Sequence, residues 1–155
     1  MSAEPYPHVG LMVPDIEAAI ASYERLGLTF MPPRSVRVDR LVEGDRESTI
    51  DLRIAFSEQG PPRWELLEVV GDGIYGPQHV GGLHHVAMLD PDPERRAREL
   101  VAEGFEFVAA QYRDDGSMIV AYLESPELHG IRIEMLHSPV KDTIEAWISG
   151  QDAAP

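Results

Sequence analysis

Residues 81–90, GGLHHVAMLD, set two adjacent histidines at the mouth of a short apolar run, after a Gly-Gly turn and before Asp-Pro. The heart of this stretch, HVAMLDPDP at 85–93, has a near copy at the start of the chain, HVGLMVPDI at 8–16. Each copy reads as a strand that opens on a histidine, closes on Asp or Pro and leads into a helix. His85 therefore matches His8, and His84 has no counterpart.

Working outward, the same order of elements follows each copy. Asp15 is an N-cap, and Ile16, Ala19, Ile20, Tyr23 and Leu26 recur at helical spacing until Gly27. Strand-like pieces then fall near 34–38, 49–57 and 63–70. A Gly-rich loop, GDGIYGPQHVGG (71–82), separates the halves. After the strand at 83–89, a proline at the first helical position and Ala97, Leu100 and Val101 on one side mark a second helix. Strands at 105–111, 117–124 and 131–137 complete the copy. VKDTIEAWIS suits a last short helix anchored by Ile144, Trp147 and Ile148. The half-closings also match. WELLEVV (64–70) and IEMLHSP (133–139) each carry a glutamate inside the final strand, Glu65 and Glu134.

The expectation is an α+β chain of paired βαβββ modules: residues 6–70, a linking loop 71–82, residues 83–137, and a C-terminal tail 138–155 within a single domain. A chain of 155 residues is long enough to bury a core without staples. The absence of cysteine excludes disulfides and thiolate ligands. With a formal net charge of −14, nucleic acid and anionic membranes are not expected partners. No N-terminal apolar segment is long enough for a signal peptide or a span, so a cytoplasmic protein is expected.

Strand parity then assigns faces. In RWELLEVV, Glu65 shares a side with Arg63 and Leu67, opposite Trp64 and Leu66; in IRIEMLH, Glu134 sides with Arg132 and Leu136. In TIDLRIAF, Ile50, Leu52, Ile54 and Phe56 form the apolar side, and Asp51 and Arg53 the other. Each strand is expected to pack its apolar side on helices and turn the more polar side to a cavity, which puts Arg53 on the cavity face as a candidate for holding a substrate carboxylate or phosphate. Two imidazoles and two carboxylates without thiols suit one first-row divalent ion: Ni²⁺, Co²⁺, Zn²⁺, Mn²⁺ or Fe²⁺. Such an ion acts as a Lewis acid on the oxyanion left when a carbon-bound proton is removed.

The runs HVGLMVPDIEAAIASYERLGL, WELLEVV, GGLHHVAML and IRIEML make the chain resemble the vicinal oxygen chelate superfamily, over about residues 6–137. That superfamily includes glyoxalase I, methylmalonyl-CoA epimerase, extradiol dioxygenases and antibiotic-resistance binding proteins. ELLEVVGDGIYGPQHVGGLHHVAML is most similar to the epimerase and glyoxalase branch. The resemblance implies a cupped, mostly antiparallel sheet with helices on its outer face, a small-molecule substrate, a homodimer, and His8, Glu65, His85 and Glu134 as metal ligands. It implies a lyase or isomerase/epimerase, in which Glu134 serves as base. A second glutamate near the third strand, as in the epimerase, falls closest to Glu47 in EGDRESTIDL, a segment charged throughout. The alternatives are an antibiotic-binding protein without catalysis and a non-heme iron dioxygenase. The latter resembles a site of two His and one Glu, so the presence of Glu65 tilts the expectation toward proton transfer without redox chemistry. His84, by parity, is expected to be structural; Glu68, His79, His129 and His137 are given no role.

Overall fold

A computed structural model describes residues 4–151. Strand β1 (Glu4–Val13), helix α1 (Ile16–Glu24) and strands β2 (Arg34–Glu43), β3 (Arg46–Phe56) and β4 (Arg63–Glu68) are followed by the same order again. The second set is β5 (Leu83–Asp90), α2 (Pro93–Ala102), β6 (Glu106–Tyr112), β7 (Met118–Glu124) and β8 (Ile133–His137), with α3 (Val140–Ile148) last.

The local signals act as expected at the helix starts. The Asp15 side chain accepts from the backbone N–H of Ala18, and Asp92 does the same for Arg95, each satisfying an orphan donor of the first turn. Strands β2 and β3 run longer than their apolar cores suggest. Charged EGDRE does not form a loop; it forms the tip of a hairpin, with Glu43 opposite Arg46 and Gly44 at φ +59 supplying the turn.

The eight strands close on themselves in the order β1-β4-β3-β2-β6-β7-β8-β5. Only β1–β4 and β5–β8 are parallel; every other neighbouring pair is antiparallel. The cup expected from the sequence is thus an α+β fold whose sheet is curved far enough to meet itself. Two seams join the halves: β1 against β5, and β2 against β6. Helix α1 covers β3 and β4 from outside, and α2 covers β5 to β8. Behind α2 lies a cluster of Ala97, Leu100, Ala110, Ala121, Leu123 and Met135. Ile144 and Trp147 of α3 join the larger core cluster, and Arg63 bonds Glu145 of that helix through both Nε and Nη2, at 3.0 and 2.7 Å. Among the described residues, no helix is long and apolar enough to cross a membrane.

One face assignment is corrected. On β3 the apolar side, not the polar one, points inward. Phe56 pairs across from Glu65, Ile54 from Leu67, and the Phe56 ring meets the His8 ring edge-on with centroids 5.4 Å apart. A closed eight-stranded sheet has an interior just wide enough to be filled by side chains, so most inward positions must be apolar. Leu52, Ile54, Phe56, Leu67, Val120 and Leu136 are all buried.

Candidate metal centre

The four residues at the matching positions of the halves meet inside this closed sheet, and all four come from one chain. His8, Glu65, His85 and Glu134 are buried, and one donor atom from each lies within 4.8 Å of the others. Register explains the meeting. In the first half Gly10, two residues after His8, pairs with Glu65 on the parallel neighbour β4. In the second, Ala87, two residues after His85, pairs with Glu134 on β8. Residues two apart on a strand share a face, so each parallel pair brings one imidazole and one carboxylate to the same spot. The β1–β5 seam then sets the pairs side by side, because Gly10 also lies opposite His85.

Gly10 is where this close approach is made possible. A Cβ added there would fall 2.2 Å from Cε1 of His85, inside the imidazole. The strand gives up a side chain, and the His85 ring takes its place.

His8 Nε2 is 3.0 Å from His85 Nε2, 3.2 Å from Glu65 Oε2 and 3.4 Å from Glu134 Oε1. His85 Nε2 is 3.1 Å from Glu65 Oε2 and 3.5 Å from Glu134 Oε2. Donors bound at roughly 2.0–2.1 Å, at angles between a right angle and tetrahedral, sit about 2.8–3.4 Å apart. The spacings match the edges of a coordination polyhedron. Glu65 Oε2 is moreover buried without a hydrogen-bond partner, despite two imidazoles nearby. Such an atom costs free energy unless a cation meets it. The donor set fits one divalent ion.

Electrostatics agree. Burial disfavours a charge on His8, but Glu134 and Glu65 outweigh it and push its pKa up to about 9. Burial likewise opposes ionisation of both glutamates, yet the two histidines hold Glu65 and Glu134 below the usual carboxylate range. A proton on His8 thus supplies the positive charge that two buried carboxylates require. One proton balances one carboxylate; a dication balances both and leaves the imidazoles neutral, as ligands must be.

Around the donors stands a shell that the sequence did not disclose. The Tyr122 hydroxyl donates to Glu134 Oε2 at 2.9 Å, and Tyr75 of the linking loop meets Tyr122 hydroxyl to hydroxyl at 2.9 Å. Gln111 Nε2 donates in turn to the Tyr75 hydroxyl. Burial raises the pKa of both phenols, so they stay neutral donors. Parity of β7 could have put Tyr122 on the Glu134 side, since the two pair across strands. Tyr75 carried one signal only, an apolar ring in a Gly-rich loop.

His84 is structural, and a break in register aims it. Gly10 pairs with His85 but Leu11 pairs with Leu83, so His84 is the extra residue of a bulge, which re-aims its side chain. It is buried beside His85, with Nδ1 2.9 Å from His85 Nδ1 and Nε2 2.8 Å from the Ile74 carbonyl.

Two candidates do not join the site. Arg53 lies on the outer, helix-facing side of β3, where its guanidinium bonds Glu17 of α1 and, at 3.2 Å, Glu68 of β4. The same inward turn of Phe56 and Ile54 that fills the interior forces this neighbour out. Glu47 sits exposed near the hairpin tip and accepts from Arg40 at 2.9 Å.

None of the curated proteins matches the chain. Among solved structures, a hypothetical protein of Bacillus halodurans C-125 is 22% identical, with TM-score 0.60, over 88% of this chain and 94% of its own. A variant of Streptomyces coelicolor methylmalonyl-CoA epimerase in complex with 2-nitronate-propionyl-CoA is 20% identical, with TM-score 0.62, over 88% and 99%. Methylmalonyl-CoA epimerase from Mycobacterium tuberculosis is 19% identical, with TM-score 0.55, over 86% and 85%. At these identities the likeness is one of fold. A family model matches residues 7–122, and by that match the chain belongs to the Glyoxalase/Bleomycin resistance protein/Dioxygenase superfamily.

Proposed function

We propose that the protein is a divalent-metal-dependent lyase or isomerase/epimerase that moves a proton on the carbon next to a carbonyl. The observation that supports this most is the convergence of His8, Glu65, His85 and Glu134 at polyhedron-edge spacing, with Glu65 Oε2 lacking a hydrogen bond. These four residues would hold the ion, which when bound supplies Lewis-acid stabilisation of the oxyanion formed by proton removal.

The remaining chemistry belongs to the chain. Glu134 is the base. Its Oε2 is held by the Tyr122 hydroxyl, so the carboxylate keeps its place while the other oxygen, on the His8 side, takes the proton. Tyr75 and Gln111 hold Tyr122 in turn. The apolar walls, with Phe56 beside His8, exclude water that would solvate the carboxylate and weaken it as a base. The substrate class is a small carbonyl compound with an acidic C–H and two neighbouring oxygens. Acyl thioesters enter that class by the fold shared with the epimerase; hemithioacetals enter it by the glyoxalase resemblance. Two buried carboxylates favour this reading over a metal-free binding protein, and the fourth donor, Glu65, favours it over oxygen chemistry.

The test begins with chelation, then addition of Ni²⁺, Co²⁺, Zn²⁺ or Mn²⁺ while melting is followed. A rise in melting temperature with at least one ion is expected, because an ion that binds only the native state stabilises it. Exchange of substrate protons with deuterated water is then followed over acyl thioesters and hemithioacetals. Glu134→Gln is expected to lower the exchange rate at least a hundredfold at saturating metal. No response to any metal supports the binding protein instead. Metal binding without exchange on any substrate removes the proton-transfer assignment.

A further inference from the structure

We propose that His84 is a positioning residue that fixes the tautomer of His85, so that His85 Nε2 always presents its lone pair to the centre. The inference rests on the metal-binding reading above and goes beyond it, since it assigns a task to the histidine that the repeat leaves without a counterpart.

The chain of hydrogen bonds leaves one arrangement. The Ile74 carbonyl can only accept, so the proton between it and His84 sits on His84 Nε2, at 2.8 Å. The His84 ring nitrogens meet that carbonyl and His85 Nδ1, neither of them a carboxylate, and a buried ring without an acidic partner stays neutral. A neutral ring with its proton on Nε2 accepts at Nδ1. His85 Nδ1, 2.9 Å away, is then the donor, and the lone pair of His85 is left on Nε2. That nitrogen is the one that faces Glu65 at 3.1 Å and His8 at 3.0 Å. Ligating imidazoles are held in this way through the nitrogen that does not bind the metal.

Packing locks the His84 ring in the plane this requires. Tyr75 stacks on it at 5.6 Å between centroids, 19° from parallel, and Tyr122 meets it edge-on at 5.5 Å. The bulge in β5 is what turns His84 inward at all. Ile74 and Tyr75 are neighbours in the linking loop, so one dipeptide of that loop steadies both ligands of the second half: His85 through His84, and Glu134 through Tyr122.

The experiment compares His84→Leu, which has no acceptor, with His84→Asn, whose amide oxygen lies where Nδ1 does. Co²⁺ alone is titrated into each chelated protein and followed by its visible absorption, with melting temperature recorded in parallel. Ten- to hundredfold weaker binding is expected for His84→Leu, with His84→Asn restored to within a few-fold of the parent. Equal affinity in all three proteins, or equal loss in both variants, overturns the proposal. Nitrogen-15 NMR of the imidazoles in the metal-free protein gives an independent reading. The parent is expected to carry the His85 proton on Nδ1, and a parent with that proton on Nε2 overturns the proposal outright. Should the parent bind no metal, the functional reading fails while the NMR result still decides the role of His84.

Discussion

Gly10 and His8 show how much of the centre depends on single atoms. Replacing Gly10 by alanine places a methyl group 2.2 Å from His85 Cε1, and His85 is fully buried against His84 on its other side, so neither can yield without moving the His85 imidazole. Overpacking of this kind costs about 1–3 kcal/mol. Gly10→Ala is expected to melt earlier and to bind Co²⁺ at least tenfold more weakly. Unchanged affinity would mean that His85 is not needed where the structure puts it. His8 makes the second prediction, in pH. Its pKa rises from an ordinary 6.5 to about 9 on folding. The metal-free native state therefore binds the proton more tightly than the unfolded chain does. The stabilisation is complete below pH 6.5 and fades as pH climbs through about 9, a loss of about 3 kcal/mol. The two glutamates act oppositely, since their pKa values fall on folding; their contribution holds above the ordinary carboxylate range and is lost as pH drops below it. Metal-free protein should thus lose melting temperature between pH 6.5 and 9, and His8→Asn should flatten that slope. Metal binding expels the His8 proton, so Co²⁺ affinity should rise over the same interval. A slope unaltered in His8→Asn would assign it to another group.

The strands show what a sequence can and cannot disclose. Element order, the Asp15 cap and the recurring His and Glu positions are legible because each depends on local chemistry or on comparing one half with the other. The Asp15 cap needs one carboxylate, and the imidazole–carboxylate pairs need only the recurrence of His-Val-Gly as His-Val-Ala and of a glutamate in each closing strand. What parity could not give was the sign of a face or a break in register. Parity reads β3 as polar-in only for a wet cavity; closure makes the interior a filled core, and Arg53 lies outside, paired with Glu17 and Glu68. His84 is buried and hydrogen-bonded as a structural histidine should be, but its aim at His85 is not legible, because a one-residue bulge is set by the neighbouring strand, which no local pattern reports. Tyr75 was missed because its partner, Tyr122, lies 47 residues away. The corrected faces give a further prediction. Arg53→Gln and Glu47→Gln both remove exposed ion pairs, which contribute little. Both variants should keep the Co²⁺ affinity and the proton-exchange rate of the parent, with a small loss of melting temperature. A large loss of exchange in either one would return that residue to the site.

The whole molecule is held by two seams, β1–β5 and β2–β6, and the donors straddle the first of them. Each half brings one imidazole and one carboxylate, so neither half holds a complete set. An ion bound there cross-links β4, which carries Glu65, to β8, which carries Glu134, although each pairs mainly within its own half. Binding limited to the native state adds about 2.7 kcal/mol at a hundredfold excess over the dissociation constant. That stabilisation cannot be confined to one half, because releasing the ion requires only one of the four strands to open. Hydrogen exchange should therefore slow in β4 and β8 together, at the same metal concentration and with one ion per chain. A site shared between two copies of the chain predicts something else: the same one ion per chain, but protection that depends on protein concentration. A site built by one half alone predicts slowing in β4 or in β8 but not in both. Since His8 and His85 are adjacent across the seam at 3.0 Å, only the joint response is compatible with the register that brings them there.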